Sequence, residues 1–252
     1  MKQQEWIAVL LAVLVGAVYV TGCGDDPATS TLGNESLTNE KTADGGDEPL
    51  EQGRGTVPFS IAQIFIENNA TAGDAGIQVF FDADGWKRVN ILDPDEHVIL
   101  DITAKRAFRE LGITEVRFES EEPTPAEVLA LFPAGEYDFS GLTTDGDRLV
   151  GTGFLSHSLP AAPSFTPANG EVLDPNQVVI NWGRVTGAER YQVIVENDDL
   201  EVSLQADVLD PTTSLRVPPT FLEHGREYKV EVLAIAASGN RTITEGTFNT
   251  TP

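Results

Sequence analysis

From residue 58 to the C-terminus, apolar residues recur at every second position in short runs. Ile64 and Ile66 begin the pattern. Ile77, Val79 and Phe81 continue it, then Val89 and Ile91, then Val98, Leu100 and Ile102. A period of two gives a pleated strand one apolar face, and a helix of period 3.6 cannot use it. Ala72-Gly73-Asp74, Asp84-Gly85, Asp93-Pro94-Asp95 and Thr144-Asp145-Gly146 punctuate the runs as turns. Tyr137 and Phe139 precede a last strand through 149–155. Residues 58–160 therefore read as about seven strands at the short spacing of a β-sandwich. One short helix interrupts them. Thr124-Pro125-Ala126-Glu127 carries a capping-box acceptor, proline at the first helical position and a glutamate that returns the bond. Residues 104–111 offer a further helical turn before Gly112.

Hydrophobic burial must hold this fold alone, because the chain has a single cysteine, Cys23, and can form no internal disulfide. Cys23 directly follows an apolar stretch, residues 6–20, and the small pair Thr21-Gly22. A short n-region with Lys2, an apolar h-region and small residues before the cut are the three parts of a secretory signal. Val20-Thr21-Gly22-Cys23 resembles the bacterial lipobox, in which the cysteine becomes the lipid-bearing first residue of the mature protein. The resemblance implies a signal peptide over 1–22, lipid attachment (palmitate among the acyl chains) at Cys23, and a protein held on the membrane outside the cytoplasm. Two or more acyl chains hold a protein firmly, whereas one holds it marginally. Gly24 in place of an aspartate leans toward the outer membrane where the cell has one. An uncleaved membrane helix and a free thiol after ordinary cleavage are the alternatives.

Residues 23–57 form an acidic tether. After Cys23 this stretch has no aromatic residue, eight acidic residues and two basic ones. Such composition cannot bury enough apolar surface to offset chain entropy, so it reads as disordered. A flexible chain of roughly 30 residues spans about 30 Å. The whole chain carries 16 basic and 40 acidic residues, a net charge of −24. That charge repels nucleic acid, which is excluded as a partner.

Residues 161–252 carry a second alternating pattern. Val178, Ile180 and Trp182 form one inward row; Tyr191, Val193 and Val195 form the next. Leu222 stands six residues before Tyr228, which opens the run Tyr228, Val230, Val232, Ala234. With Ala162-Pro163-Ser164-Phe165-Thr166-Pro167 at its start and Phe248-Asn249-Thr250 at its end, this segment resembles a fibronectin type III domain. The resemblance implies an Ig-like sandwich with Trp182 in the core and Tyr228 as its tyrosine corner, the ring buried and the hydroxyl bonded to backbone upstream. Ser238-Gly239-Asn240-Arg241 falls between the last two strands, as a plain turn or a binding loop.

The fold class is thus all-β, two sandwich domains behind a signal peptide and tether, over 1–22, 23–57, 58–160 and 161–252. Catalytic signals are thin. No serine, histidine and acid set has the context of a nucleophile elbow, and no glycine loop opens a helix as a phosphate cradle. Asp74, Asp82, Asp84, Asp93 and Asp95 read as turn formers rather than calcium ligands. Trp86 reads as packing, and His97 and His157 as ordinary strand or loop residues. No catalytic residue, metal or cofactor is assigned. The expected function is a non-catalytic, lipid-anchored arm that binds or scaffolds an envelope protein or polysaccharide. The alternatives are an envelope glycan hydrolase with the last domain as accessory, and a calcium-stabilised adhesin.

Overall fold

The computed structural model describes residues 55–252. Cys23, the leader and residues 23–54 of the tether lie outside the described residues. Thr56 and Val57, at the tether's end, are the first residues of strand β1 (Thr56–Pro58).

The first lobe continues with β2 (Ile61–Asn69), β3 (Asp74–Leu92), β4 (Val98–Thr103), α1 (Ala107–Leu111), β5 (Ile113–Glu119), α2 (Pro125–Leu131), β6 (Gly135–Thr143) and β7 (Arg148–Leu155). Strand β3 is its spine. The first half pairs with β2 and β5, and the second half with β4 and β6. Strand β7 extends β6, and β1 lies parallel on β7. The expected turn at Asp84-Gly85 is absent, and here the sequence reading is corrected. The Asp82 carbonyl accepts the Ser60 N–H at 2.9 Å and the Gly85 carbonyl accepts the Thr144 N–H at 2.9 Å, so neighbours on both sides keep the chain extended. The register shifts between Asp82 and Trp86, and β3 exchanges its partners there. The Asp-Gly pair is used as a bulge, not a reversal.

The strand's two halves face one another across an aromatic centre. Phe59, Phe81 and Phe139 meet edge to face with centroids 6.0–6.1 Å apart, and Trp86 is fully buried beside Phe81. Helix α2 begins as its sequence dictates: the Glu127 carboxylate accepts both the Thr124 N–H (2.9 Å) and the Thr124 hydroxyl (2.6 Å). Its Val128 closes one side of the core.

The second lobe contains β8 (Phe165–Thr166), β9 (Glu171–Leu173), β10 (Val179–Trp182), β11 (Ala188–Asn197), β12 (Val202–Leu209), β13 (Ser214–Arg216), β14 (Glu227–Ala236) and β15 (Arg241–Thr250). Strands β13, β10 and β8 make one sheet; β12, β11, β14 and β15 make the facing layer, with β9 parallel on β15. This is the two-sheet arrangement that the fibronectin type III resemblance implies. Tyr228 is fully buried and its hydroxyl accepts the Glu223 N–H at 2.8 Å. Tyr191 does the same for the Val185 N–H at 2.6 Å. Both rings pack while their polar tips are satisfied.

The two lobes share a sheet. Strand β15 lies parallel to β2, with Arg241 opposite Glu67, Thr242 opposite Asn68 and Ile243 opposite Asn69. One layer therefore runs β5-β3-β2-β15-β14-β11-β12 through both lobes. Leu233, Ile235 and Ile243 form a small third apolar cluster. By strand alternation they face away from Val232 and Ala234, so β14 is buried on both faces near the joint.

Candidate functional site

The turn between β14 and β15 is the fastening between the lobes rather than a free loop. Gly239 takes φ +88°, a conformation glycine adopts without strain, and passes against Phe65 of β2. The next residue, Asn240, is fully buried. Its Oδ1 accepts the Ile66 N–H at 2.8 Å, and its Nδ2 donates to the carbonyls of Ser156 (2.7 Å) and Ser158 (2.9 Å). One amide thus ties β2, the interlobe segment and β15 together. Thr242 adds a hydroxyl bond to the Pro160 carbonyl at 2.7 Å.

Beside this joint lies a cleft of about 240 Å³ built from both lobes. Gln63, Phe65 and Phe154 line it from β2 and β7; Arg190, Ser238 and Arg241 line it from the second lobe. Register explains how the two arginines meet. Ile235 of β14 stands opposite Arg190 on one side and Arg241 on the other, so all three share one cross-strand row. The row continues to Glu67 and then Gly76. The Arg241 guanidinium lies 4.2 Å from the centre of the Phe65 ring. Its nearest ion-pair partner, Glu67, is 3.7 Å away, and its Nε is buried without a partner. Burial is the main reason its pKa falls below the ordinary arginine value; Glu67 opposes that fall, and Arg190 and Arg117 add to it.

A carboxylate cluster sits at the other end of the row. Oxygens of Glu67, Glu119 and Glu122 come within 4.8 Å of one another. They gather over Gly76, where a Cβ would lie 3.1 Å from a Glu119 oxygen. Burial, then the charges of Glu67 and Glu122, push Glu119 up to about 7. Burial also raises Glu67, against the pull of Arg241, and raises Glu122, with Asp74 adding to it. Burial and mutual repulsion thus favour the protonated carboxyls, and their oxygens are of the type that hold a hard divalent cation. Paired carboxylates would suit a glycan hydrolase only in a cleft that takes a sugar ring. Neither the interlobe cleft nor the shallow hollow around Trp182 includes these three residues.

Of the residues singled out in sequence, Asp93, Asp95 and His97 come together with potential ligand atoms within 4.8 Å of one another, and the others scatter. Asp74 begins β3, Asp82 and Asp84 lie within it, and Asp93, Asp95 and His97 form a turn in which the Asp93 carboxylate accepts the N–H groups of Asp95 and His97, both at 2.9 Å. Trp86 is a core residue whose indole donates to the Thr114 carbonyl at 3.3 Å. His157 donates to the Phe132 carbonyl at 2.8 Å, far from His97 in sequence and role. The sequence marks Arg241 only as the end of the Ser238–Arg241 loop, and nothing in it singles out Arg190, Glu67, Glu119 or Glu122. Four consecutive apolar residues, Val232 to Ile235, are the available signal that β14 is covered on both faces. Among the described residues no helix is long and apolar enough to cross a membrane.

No family model matches the chain, and no curated protein matches it. Solved structures do, at low overall similarity. A Fn3-like protein from Clostridium thermocellum is 22% identical over 36% of this chain and 97% of its own, with a TM-score of 0.27. A two-domain fibronectin type III segment from chicken tenascin is 10% identical over 75% of this chain and 97% of its own, with a TM-score of 0.30. A tetra-tandem repeat from the extending region of a large adhesion protein is 16% identical over 75% of this chain and 50% of its own, with a TM-score of 0.27.

Proposed function

We propose that the protein is a non-catalytic, lipid-anchored arm of a bacterial cell envelope that binds or scaffolds an envelope component. Cys23 carries the lipid, the acidic tether clears the headgroups, and the two fused lobes form the working end. The observation that carries the reading is the joint. Asn240 and the β2–β15 pairing lock two sandwiches into one continuous sheet, so the arm holds a two-lobe cleft in fixed geometry. Ligand sites occur preferentially where two such units meet. The net charge of −24 supports a partner other than nucleic acid or a bare anionic lipid surface.

Two measurements test it together. Metabolic labelling with a palmitate analogue should mark the wild-type chain in the membrane fraction, and Cys23→Ser should lose the label and leave that fraction. Crosslinking in intact cells should retain an envelope component on the wild-type protein. Labelling that persists in Cys23→Ser sinks the anchor, and turnover of envelope glycan by the purified chain sinks the non-catalytic part.

A further inference from the structure

We infer that the interlobe cleft is a binding site for an anionic saccharide, with Arg190 and Arg241 taking a carboxylate and Phe154 taking the face of a sugar ring. The inference rests on the binding-arm reading and gives that arm its ligand class.

Arg241 is the starting point. Its side chain is only 16% exposed, yet it makes no hydrogen bond to any described residue. Its Nε–H is buried without a partner, and burying a donor unpaired is costly. The single contact to Glu67, at 3.7 Å, is too long to be a hydrogen bond. The structure therefore holds a largely buried guanidinium with one donor unsatisfied beside an open cleft, and a carboxylate matches its fork in geometry and charge. Arg190 lies in the same cross-strand row, exposed and without an ion pair among the described residues. Of the charged residues that line the cleft, Arg190 and Arg241 are basic and Glu189 is acidic. Elsewhere the chain has far more acids than bases, 40 against 16 overall. The cleft lining thus carries a local excess of positive charge in an acidic chain.

The remaining lining separates a saccharide from other anions. Phe154 is 65% exposed and lines the cleft from β7 as an apolar platform. Gln63 and Ser238 offer amide and hydroxyl groups, and Glu189 offers an acceptor. A ligand that meets Glu189 must bring donors of its own, which sugar hydroxyls do and a dense polyphosphate does not. The volume, about 240 Å³, is below the roughly 300–1,000 Å³ of drug-sized sites and suits a unit or two of a chain that enters and leaves.

The test is calorimetric titration of the full chain in detergent micelles with tetrasaccharides of galacturonate, glucuronate and mannuronate, with their methyl esters, and with inorganic phosphate. At least one acidic tetrasaccharide should bind, its ester at least tenfold more weakly. Arg190→Gln and Phe154→Ala, both at exposed positions, should each weaken binding about tenfold while leaving the melting temperature within a degree or two. Arg241→Gln should abolish binding. Binding of none of the acidic sugars, equal binding of the esters, phosphate alone binding as tightly as the sugars, or undiminished binding by the Arg190 and Phe154 variants each overturns the assignment. If the wild-type chain still retains an envelope component in cells after such a failure, the arm stands and only its cleft is reassigned. Loss of both removes the arm as well.

Discussion

Asn240→Ala should uncouple the two lobes. The substitution removes one acceptor and two donated bonds from a residue with no exposed surface. The Ile66 N–H is left buried without a partner, a loss of about 1–3 kcal/mol. The Ser156 and Ser158 carbonyls lie in a partly exposed segment, so water recovers most of their share and they add about 1 kcal/mol together. The sum, about 2–4 kcal/mol, falls entirely on the joint. Each lobe has its own tryptophan, Trp86 in the first core and Trp182 in the second. Urea unfolding of variants that keep one of these as the single tryptophan therefore reports the lobes separately, each compared with its own Asn240 parent. With Asn240 present the two transitions should coincide. In the Asn240→Ala variant the less stable lobe should unfold first, its midpoint lower by about 1–2 M at a slope of about 2 kcal/mol per molar. Coincident transitions and a shift under about 0.3 M would show that the joint is held by packing and that the amide is incidental.

Glu119, raised to about 7 from an unfolded value near 4.5, makes the folded chain bind more protons. Stability from this group is then greatest below about pH 4.5 and falls as pH rises to about 7; after discounting for partial exposure the loss is about 1–2 kcal/mol. Glu119→Gln should flatten urea midpoints measured between pH 5 and pH 8, and an unchanged slope would refute the cluster's role. Tyr228→Phe keeps the ring and removes the acceptor of the Glu223 N–H, so chemical denaturation should show a loss of about 1–2 kcal/mol. Gly239→Ala forces a side chain into the left-handed region against Phe65 and should cost about 1–2 kcal/mol by the same assay. A gain in stability there would contradict the turn geometry.

Much of the fold is legible in the sequence because its determinants are local. Alternation places Ile64, Ile77, Val79, Phe81, Val193 and Val230 on inward faces, and all are buried. Thr124 and Glu127 lie three residues apart and start the helix that their spacing specifies. The tyrosine corner needs only Leu222 to Tyr228. The joint has no such signature. Asn240 bonds a strand 174 residues away, and a Ser-Gly-Asn sequence reads as a turn because it also is one. Parallel pairing of β2 with β15 leaves no periodicity beyond that of two ordinary strands. The carboxylates of Glu67, Glu119 and Glu122 come from separate segments, and among 40 acidic residues no three stand out by type. Asp84-Gly85 misleads for the opposite reason. A strong local turn signal loses to hydrogen bonds contributed by Ser60 and Thr144 from elsewhere in the lobe.

The β2–β15 pairing also sets an order of events. Strand β2 carries Ile64-Phe65-Ile66, and on the edge away from β3 its next residues, Glu67, Asn68 and Asn69, pair with Arg241, Thr242 and Ile243 at the start of β15. A chain that emerges N-terminus first can complete the remaining ladders of its first lobe, yet it must hold that edge open until β15 has appeared. Open strand edges of this kind recruit other chains. Strand β15 thus serves as a late guard against self-association, and a chain lacking it would expose an adhesive edge in an otherwise complete first lobe.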